Sequence, residues 1–499
     1  MKNPGEYQFM PSPVKTSSFG QFEDQTGIGN LVHPGSCEYD PDQQSYTLTA
    51  SGADIWRNHD DFHFVWRQFC GDFIVTLWAE FLGAGAHRYR KLGWMARVSL
   101  DPASPHVSAS LHGSGAAALQ FRRKKGAYTE QVPSPVPAPT VLQLERKRNT
   151  FIMSAAKYGQ PFKAVQAAEL DLDEAVYLGL FLCSHEANGI EQAIFQDVRI
   201  IKPASEPLDP AQVSACSRLE ILDLSSGSRR EIYRAESIFE APNWTRDGTA
   251  LIYNTGGRLV RFDLATRIPT LIDTGEVVRN NNDHVLSFDG TMLGISSHNP
   301  DSGISQIYTL PVGGGLPRLV TPKGPSYLHG WSPDGHFLVY CAERNGQYDV
   351  YRIPVEGGQE EQLTNTPGLD DGPEYSPDGK YIYFNSVRTG SMQIWRMQAD
   401  GSHPEQITDD EFNNWFAHVS PDGKWIAFVS YLPGETEPGN HPPAKRVYLR
   451  VLPADGGKPK VVAYLYGGQG TMNVPSWSPD GTQLAFVSYT LDPKCFKNP

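Results

Sequence analysis

The sequence predicts an all-β protein in which an N-terminal β-sandwich of the jelly-roll type precedes a six-bladed β-propeller. Two observations predict this class. Between residues 19 and 201, short apolar segments are separated by Gly, Pro, Asp and Asn, with almost no helical periodicity. From residue 217 onward, a unit of about 44 residues recurs, each with an Asp-Gly turn followed by an apolar strand.

The composition indicates a large, folded and acidic protein. Its 499 residues are enough for two or three domains, and 39% of them are hydrophobic. The formal net charge of −13 argues against nucleic acid as the main partner. The six cysteines lie far apart and form no CxxC pair, so we expect free thiols.

The N-terminus and the hydropathy pattern bear on location. The first residues lack the apolar stretch of a signal peptide, and no apolar run approaches the ~18 residues that a membrane span needs. We therefore expect no membrane span. The sequence as it stands predicts a cytoplasmic protein, or a periplasmic one if a signal peptide has been removed.

The sandwich prediction depends on nine strand-like segments: 45–50, 73–81, 93–99, 106–111, 118–123, 140–146, 150–157, 175–183 and 193–200. Polar and aromatic side chains recur on or beside them, namely Trp56, Arg88, Arg90, Trp94, Arg97, Arg122, Arg123 and His185. Alternating arginines on strands form either a solvated or salt-bridged face or a groove for sugars or acids. We expect Trp94 to lie in the core.

A proline-rich, aperiodic stretch at 203–210 separates the two halves of the chain. We expect an N-terminal extension at 1–18, the sandwich at 19–202, a linker at 203–216, the propeller at 217–490 and a C-terminal tail at 491–499.

The propeller prediction depends on six Asp-Gly turns, whose aspartates are Asp247, Asp289, Asp334, Asp378, Asp422 and Asp480. The first five are 42 to 45 residues apart, and the last follows after 58 because of an insertion at 432–444. The final unit ends after two strands, and the hairpin at 218–234 has no turn unit before it. We therefore expect the two ends to complete one blade together. This closes the ring at six blades, with seven as the alternative.

The unit Trp-Ser-Pro-Asp-Gly followed by an apolar strand, as at 331–335 and 477–481, resembles the repeat of the TolB family across residues 218–490. The resemblance implies a propeller. Its relatives include protein-binding modules, peptidase accessory domains, and oligogalacturonate-lyase-like enzymes with a histidine-held metal at the axis. Segments 71–75, 90–97, 119–123, 144–146, 179–185 and 195–200 resemble concanavalin- and laminin-G-like jelly rolls, whose concave face binds sugar in some relatives and only packs in others.

The residues just before each turn line the channel of a propeller, and here they are unusually polar. We predict catalytic roles for His284, His329 and His418. The predicted substrate-binding residues are Arg279, Asn282, Asp371, Glu374, Asn414, Trp415 and Asn473. Imidazole moves protons near neutral pH, Asn and Arg bind hydroxyls and carboxylates, and Trp offers an apolar face to a sugar ring.

A metal is the alternative use of the same positions. His284, His329, His418 and Glu374 are candidate ligands of a divalent ion (Mn, Ca or Zn) at the axis. The spacing raises an objection, because Glu374 and His418 lie four residues before the turn aspartate whereas His284 and His329 lie five before it. These side chains converge only if the strands are bulged; otherwise the histidines are structural.

Two functions follow from this pattern. The first is a carbohydrate-active protein, a glycan lyase or hydrolase with its site at the mouth of the channel, where the jelly roll assists binding of an oligosaccharide or modified sugar. The second is a non-catalytic TolB-like propeller that binds a protein or a glycan.

Overall fold

The computed structural model of the protein describes residues 18–85, 87–167, 169–204 and 215–491. These residues form two compact units, 18–204 and 215–490. The predicted extension at 1–18, linker at 203–216 and tail at 491–499 lie mostly outside the described residues. Nowhere in the described ranges is there a helix long and apolar enough to cross a membrane.

The first unit is the predicted β-sandwich. Its strands are β1 Asp24–Ile28, β2 Ser36–Asp40, β3 Ser45–Gly52, β4 Phe62–Cys70, β5 Phe73–Leu82, β6 Lys91–Arg97, β7 His106–His112, β8 Ala117–Arg122, β9 Glu130–Pro133, β10 Val141–Lys147, β11 Thr150–Ala156, β12 Lys163–Ala167, β13 Ala175–Cys183 and β14 Glu186–Ile201. One seven-stranded sheet has the order β1-β4-β13-β6-β7-β8-β9, and the other has the order β12-β11-β10-β5-β14-β3-β2.

The core of the sandwich follows from the two-residue period of its strands. On β6, Leu92, Trp94 and Ala96 point between the sheets, into a core that includes Val75 and Leu144. Trp94 is therefore a core residue, as we expected. The assignment of this sandwich to the concanavalin- and laminin-G-like domains stays a prediction.

The opposite face of β6 and β8 is occupied by the loop at 53–61. Asp60 of this loop is fully buried and accepts two hydrogen bonds from Arg122, at 2.6 and 2.8 Å, while Arg97 lies 3.5 Å away. A bidentate arginine–carboxylate pair is among the strongest polar contacts in proteins. Arg97 and Arg122 thus form a buried salt bridge with the loop and do not line an open groove.

The second unit is the six-bladed propeller. Five blades have four strands each: β17 Glu240–Trp244, β18 Ala250–Thr255, β19 Arg258–Asp263, β20 Pro269–Leu271; β21 Asn280–Leu286, β22 Met292–His298, β23 Ser305–Pro311, β24 Arg318–Leu319; β25 Ser326–Trp331, β26 Phe337–Arg344, β27 Gln347–Pro354, β28 Glu361–Gln362; β29 Asp370–Tyr375, β30 Tyr381–Ser386, β31 Gln393–Gln398, β32 Glu405–Gln406; and β33 Asn413–Val419, β34 Trp425–Tyr431, β35 Lys445–Pro453, β36 Lys460–Gly467.

The sixth blade joins the two ends of the propeller, as predicted. Its sheet has the order β16-β15-β37, with β15 Ala215–Asp223 and β16 Arg229–Ala235 from the start and β37 Gln483–Leu491 from the end. Glu220 on β15 accepts hydrogen bonds from Arg229 and from Ser488 on β37. This buried carboxylate therefore links both ends of the ring.

A bulge in each of the five inner strands sets the direction of the channel side chains. The register shifts in β17, β21, β25, β29 and β33. Gly372 in β29 has φ +61°, and a side chain there would meet the Asn385 amide oxygen at 2.4 Å. Since a bulge puts an extra residue into one strand, residues of both predicted registers can face the channel.

Candidate active site

The inner strands all begin at one end of the channel, and the loops between the second and third strands return to that end. Five titratable residues meet there, and we call them the mouth cluster: Glu240, Asp283, His329, Asp371 and His441. Four come from the first residues of inner strands, or from positions just after them. His441 comes from the insertion between β34 and β35.

Asp371 lies between two imidazoles. One of its carboxylate oxygens is 3.3 Å from Nε2 of His329, and the other is 3.9 Å from Nε2 of His441. Burial alone would raise the pKa of Asp371, but the hydrogen bond and charge of His329 and the charge of His441 lower it to about 2. Asp371 is therefore ionised at neutral pH.

The pKa values of the two histidines shift in opposite directions, although burial lowers both. Burial opposes charge on His329, yet the hydrogen bond to Asp371 and the charge of Asp283 raise its pKa above the ordinary value. Burial lowers the pKa of His441 despite the nearby Asp371. His329 thus favours the protonated form, and His441 favours the neutral form.

The ring of His441 is oriented by Gln469. Its Nδ1 contacts Oε1 of Gln469, an oxygen that also accepts a hydrogen bond from Asn473 at 3.2 Å. Because this oxygen is an acceptor, Nδ1 of His441 carries the proton of the neutral ring. Nε2 is then the unprotonated nitrogen and is free to accept a proton.

Two further carboxyl groups complete the cluster. Burial and the charge of Asp371 raise the pKa of Asp283 to about 6, against the opposing charge of His329. Burial and the charge of Asp283 raise the pKa of Glu240 to about 7. Both groups therefore exchange protons near neutral pH, which is the range that general acids need.

A close backbone approach holds Glu240 in place. Gly470 has φ +83°, and a Cβ at this position would meet Glu240 at 2.6 Å and the Tyr489 hydroxyl at 2.3 Å. Its N–H donates to Asn473 and its carbonyl accepts from Ala241. Glycine is thus the residue that lets the connection at 468–473 lie against the start of β17.

The propeller unit is similar in sequence and structure to known proteins. The family model of the TolB beta propeller domain matches residues 323–438. An uncharacterized protein of Agrobacterium fabrum is 46% identical over 274 residues, which are 55% of this chain and 92% of that protein. The solved structure of a candidate TolB from Agrobacterium tumefaciens is 45% identical, covers 55% of this chain and 99% of its own, and superposes with a TM-score of 0.53.

The chain belongs to the TolB-like β-propeller family. TolB from Acinetobacter baumannii is also similar, with 13% identity over 65% of this chain and 79% of its own and a TM-score of 0.41. An oligogalacturonate lyase in complex with manganese has 18% identity over 56% of this chain and 84% of its own, with a TM-score of 0.39. Likenesses of this extent support no argument about function.

In this TolB-like propeller, His418 and Glu374 bind each other away from the mouth cluster. Nδ1 of His418 lies 2.6 Å from the Glu374 carboxylate, and its Nε2 donates to the Met472 carbonyl at 3.1 Å. Glu374 also accepts from the backbone N–H of Val419. Both ring nitrogens are occupied, so His418 joins the fourth, fifth and sixth blades.

His284, the second predicted catalytic histidine, is also enclosed. It is fully buried, and its Nε2 donates to the Ile252 carbonyl of the preceding blade at 3.1 Å. Burial lowers the pKa of His284 to about 4, so the ring is neutral. His329 is thus the one predicted histidine that lies in the mouth cluster.

The predicted substrate-binding residues are divided. Asp371 is in the mouth cluster. Asn473 donates a hydrogen bond to Gln469, whose side-chain oxygen also contacts His441 of the cluster. Asn282 is buried on β21. Arg279 is exposed and donates to the Pro300 carbonyl, in the loop between β22 and β23, at 3.4 Å.

Asn414 and Trp415 lie within the propeller wall. The Asn414 amide donates to Gln393, Thr408 and Asp410. Trp415 is fully buried, and its ring packs edge-on against His441 with the ring centroids 4.3 Å apart. Trp415 therefore supports a mouth residue and offers no open face to a sugar.

The donor set does not fit the predicted axial metal. His284, His329 and His418 belong to three separate hydrogen-bond sets, and Glu374 is shared with only one of them. Within the described ranges, no group of three or more His, Cys, Asp or Glu side chains is placed to hold a metal ion. We therefore derive no step through a metal.

Sequence reasoning missed Glu240, Asp283 and His441 as site residues. One signal pointed to His441, namely the 58-residue spacing that marks the insertion. In a four-stranded blade the second strand runs back from the turn to the end where the inner strand begins. A histidine in an insertion after that strand therefore lies at the mouth.

Proposed function

We propose that this protein is a carbohydrate-active enzyme, a glycan lyase or hydrolase whose acid–base site is the mouth cluster. One observation supports the proposal most strongly. Neighbouring groups have pKa values driven apart, with Asp371 at about 2 and Asp283 and Glu240 at about 6 and 7. Such separation among neighbouring titratable groups is characteristic of acid and base pairs in enzymes.

The roles follow from the protonation states. His441 is the general base, because its Nε2 is unprotonated and its ring is fixed by Gln469. Asp371 orients His329 and balances its charge. Asp283 or Glu240, in its protonated form, donates a proton to the leaving oxygen. Gln469, held by Asn473, supplies an amide group of the kind that binds sugar hydroxyls.

The test is turnover of neutral, acidic and amino oligosaccharides by the full chain. New reducing ends without an unsaturated product indicate hydrolysis, and an ultraviolet-absorbing unsaturated product indicates elimination. We expect His441→Ala and Asp283→Asn each to lower kcat about 10²-fold or more, the contribution typical of a general acid or base. His336→Ala, at an exposed turn, is the matched control. Full activity in both mouth variants would refute the proposed site.

A second function, binding of a partner protein, is favoured by an observation on the outer rim. Ile268 and Leu271 of the first blade are each 55% exposed, and Leu316 and Leu319 of the second are 87% and 43% exposed. By register, Leu271 and Leu319 correspond to the glutamines Gln362 and Gln406 of the next two blades. Among the first four blades, the described outer strands of two adjacent blades thus carry exposed apolar residues where the next two carry glutamine.

This rim is continuous across the two blades. The N–H of Gly315 donates to the carbonyl of Asp273 at 2.9 Å, which ties the loop before Leu316 to the end of the first blade. A short apolar edge strand suits an extended apolar segment of a partner protein. The double variant Leu271→Gln, Leu319→Gln copies the next blades. It should abolish a defined partner complex without lowering Tm, and an unchanged affinity would exclude this rim.

A further inference from the structure

Tyr327 lies at the same level of the channel as two residues of the mouth cluster. It pairs across β25 and β26 with Cys341, the seventh residue after the turn aspartate of its blade. The residues that pair with the same position of the second strand are Glu240 in the first blade, Asp371 in the fourth and Trp415 in the fifth. Since the blades repeat one fold around the axis, Tyr327 is a residue of the mouth.

The side chain of Tyr327 faces the fourth blade. Its cross-strand neighbour Cys341 donates from its thiol to the Asp370 carbonyl of that blade at 3.4 Å. Cross-strand neighbours lie on the same face of a sheet, so Tyr327 faces β29 as well. His329, roughly 7 Å further along β25, lies 3.3 Å from Asp371 on this side. Tyr327 therefore borders the pair formed by His329 and Asp371.

A second tyrosine lies beside the first. Tyr348 follows the hairpin between β26 and β27, two residues before Val350, which pairs with Cys341 and packs against the fourth blade. Side chains two residues apart on a strand share a face, so Tyr348 also faces the fourth blade. The centroids of the Tyr327 and Tyr348 rings are 6.5 Å apart, and the ring planes are inclined by 37°. The two rings thus form one aromatic surface.

Both tyrosine rings are partly exposed, which separates them from the residues at equivalent positions. Trp415, the counterpart of Tyr327 in the fifth blade, is fully buried. The counterparts of Tyr348 in the other four-stranded blades are Gly257, Ser305, Met392 and Val447. Of the five described four-stranded blades, the third alone therefore has an aromatic residue at the position of Tyr348.

Two partly exposed phenol rings beside an acid–base pair have the chemistry of a sugar subsite. A pyranose with equatorial substituents presents C–H groups on its flat faces, and these pack on an aromatic ring as other apolar surfaces do. Burial raises the pKa of Tyr327, and it raises the pKa of Tyr348 to about 12, so both hydroxyls keep their protons at neutral pH. Each phenol can therefore donate a hydrogen bond to a sugar oxygen.

We propose that Tyr327 and Tyr348 are specificity-determining residues of the mouth, and that they bind one ring of a chain of equatorially substituted pyranoses of the glucose type. The assignment of this ring to a substrate rests on the proposed function, whereas binding itself needs only the two tyrosines. A sugar ring on this surface lies next to His329 and Asp371, which brings its glycosidic bond to the acid–base groups.

The experiment is a saturation-transfer NMR titration of the full chain with cellotriose, the trimer of β-1,4-linked glucose. We expect binding at millimolar concentrations, with stronger saturation of the C–H groups on one face of a single glucose ring. Tyr327→Ala and Tyr348→Ala should each weaken binding about tenfold. The corresponding Phe variants keep the ring and should weaken binding about threefold. Tyr128→Ala, at an exposed tyrosine of the sandwich, is the matched control and should leave the affinity unchanged.

Absence of cellotriose binding by the wild-type chain would overturn the proposal, and this measurement needs no variant to fold. Equal affinity in the alanine variants would overturn it as well. The outcome is separable from the enzyme proposal. Cellotriose binding that depends on both tyrosines, without turnover of any glycan, supports the subsite and refutes catalysis. Turnover of a glycan with the same KM in the wild type and in Tyr327→Ala supports catalysis and refutes the subsite.

Discussion

His418 offers the sharpest separation of a structural role from a catalytic one. Its imidazole is 3% exposed and joins the Glu374 carboxylate, at 2.6 Å, to the Met472 carbonyl, at 3.1 Å. His418→Ala leaves a carboxylate that is 7% exposed without its partner. Removing one partner of a buried hydrogen-bonded pair and leaving the carboxylate behind costs roughly 3–5 kcal/mol.

That loss converts into a large thermal shift. One kcal/mol corresponds to about 2–4 °C for a domain of 150–250 residues, so we expect the Tm of the propeller to fall by about 6–20 °C. The assay is differential scanning calorimetry of the full chain. His336→Ala is the control, because the His336 side chain is 76% exposed in the turn between β25 and β26. This variant should lower the free energy of unfolding by about 0.5 kcal/mol or less.

The double variant Glu374→Ala, His418→Ala sharpens this test. If the cost of His418→Ala comes from the unpaired carboxylate, the double variant should be less destabilised than the sum of the single variants by about 1–3 kcal/mol. A His418→Ala protein that melts within 1 °C of the wild type and has lost turnover would refute the structural role. That result would restore His418 as a catalytic residue.

Three further predictions test other parts of the molecule. Folding raises the pKa of Glu240 to about 7, so the folded state binds more protons than the unfolded state, and stability falls as pH rises from about 4 to above 7. Glu240→Gln should remove most of this loss of stability, and an equal pH dependence of Tm in the variant and the wild type would contradict the prediction. In the sandwich, Asp60→Ala leaves Arg97 and Arg122 buried without their carboxylate and should cost about 3–5 kcal/mol in denaturant unfolding, whereas Asp42→Ala on the surface should cost little; equal effects would be contrary to this reasoning. Glu220→Ala removes the carboxylate that joins β15 and β37, so limited proteolysis should cut the closing blade faster than in the wild type, and unchanged protection would speak against its closing role.

The fold could be predicted because its turns are determined locally. In the turn at Asp378, the carboxylate accepts from the Ser376 hydroxyl at 2.7 Å, and Gly379 has φ +72°. Both requirements are met by residue types that are visible in the sequence, and they recur in every unit. The spacing of these turns then determined the number of blades and the closure of the ring.

The site could be predicted only in part, because bulges set the direction of the channel side chains. Two of the bulged strands contain non-glycine residues with positive φ, Ala241 at +58° and Phe416 at +58°. Neither residue type indicates a left-handed conformation, so nothing in the sequence marked these positions. A strict two-residue period therefore grouped His418 with Glu374 correctly but said nothing of Asp283 or Glu240.

The use of carboxylates at the two ends of the propeller explains why we place chemistry at the mouth. At the turn end, each carboxylate is occupied by its own turn: side-chain hydrogen bonds from Lys380 and Ser376 lower the pKa of Asp378 to about 2, and Asp422 behaves in the same way. At the mouth, burial raises the pKa of Asp283 and Glu240, and the described residues supply neither carboxylate with a lysine or arginine as an ion-pair partner. The propeller repeat does not need these buried carboxyl groups, since they stabilise neither strand nor turn and lower the stability of the fold when they are ionised. Groups that are costly to the fold and gathered at one end of the channel are best explained by a ligand that satisfies them.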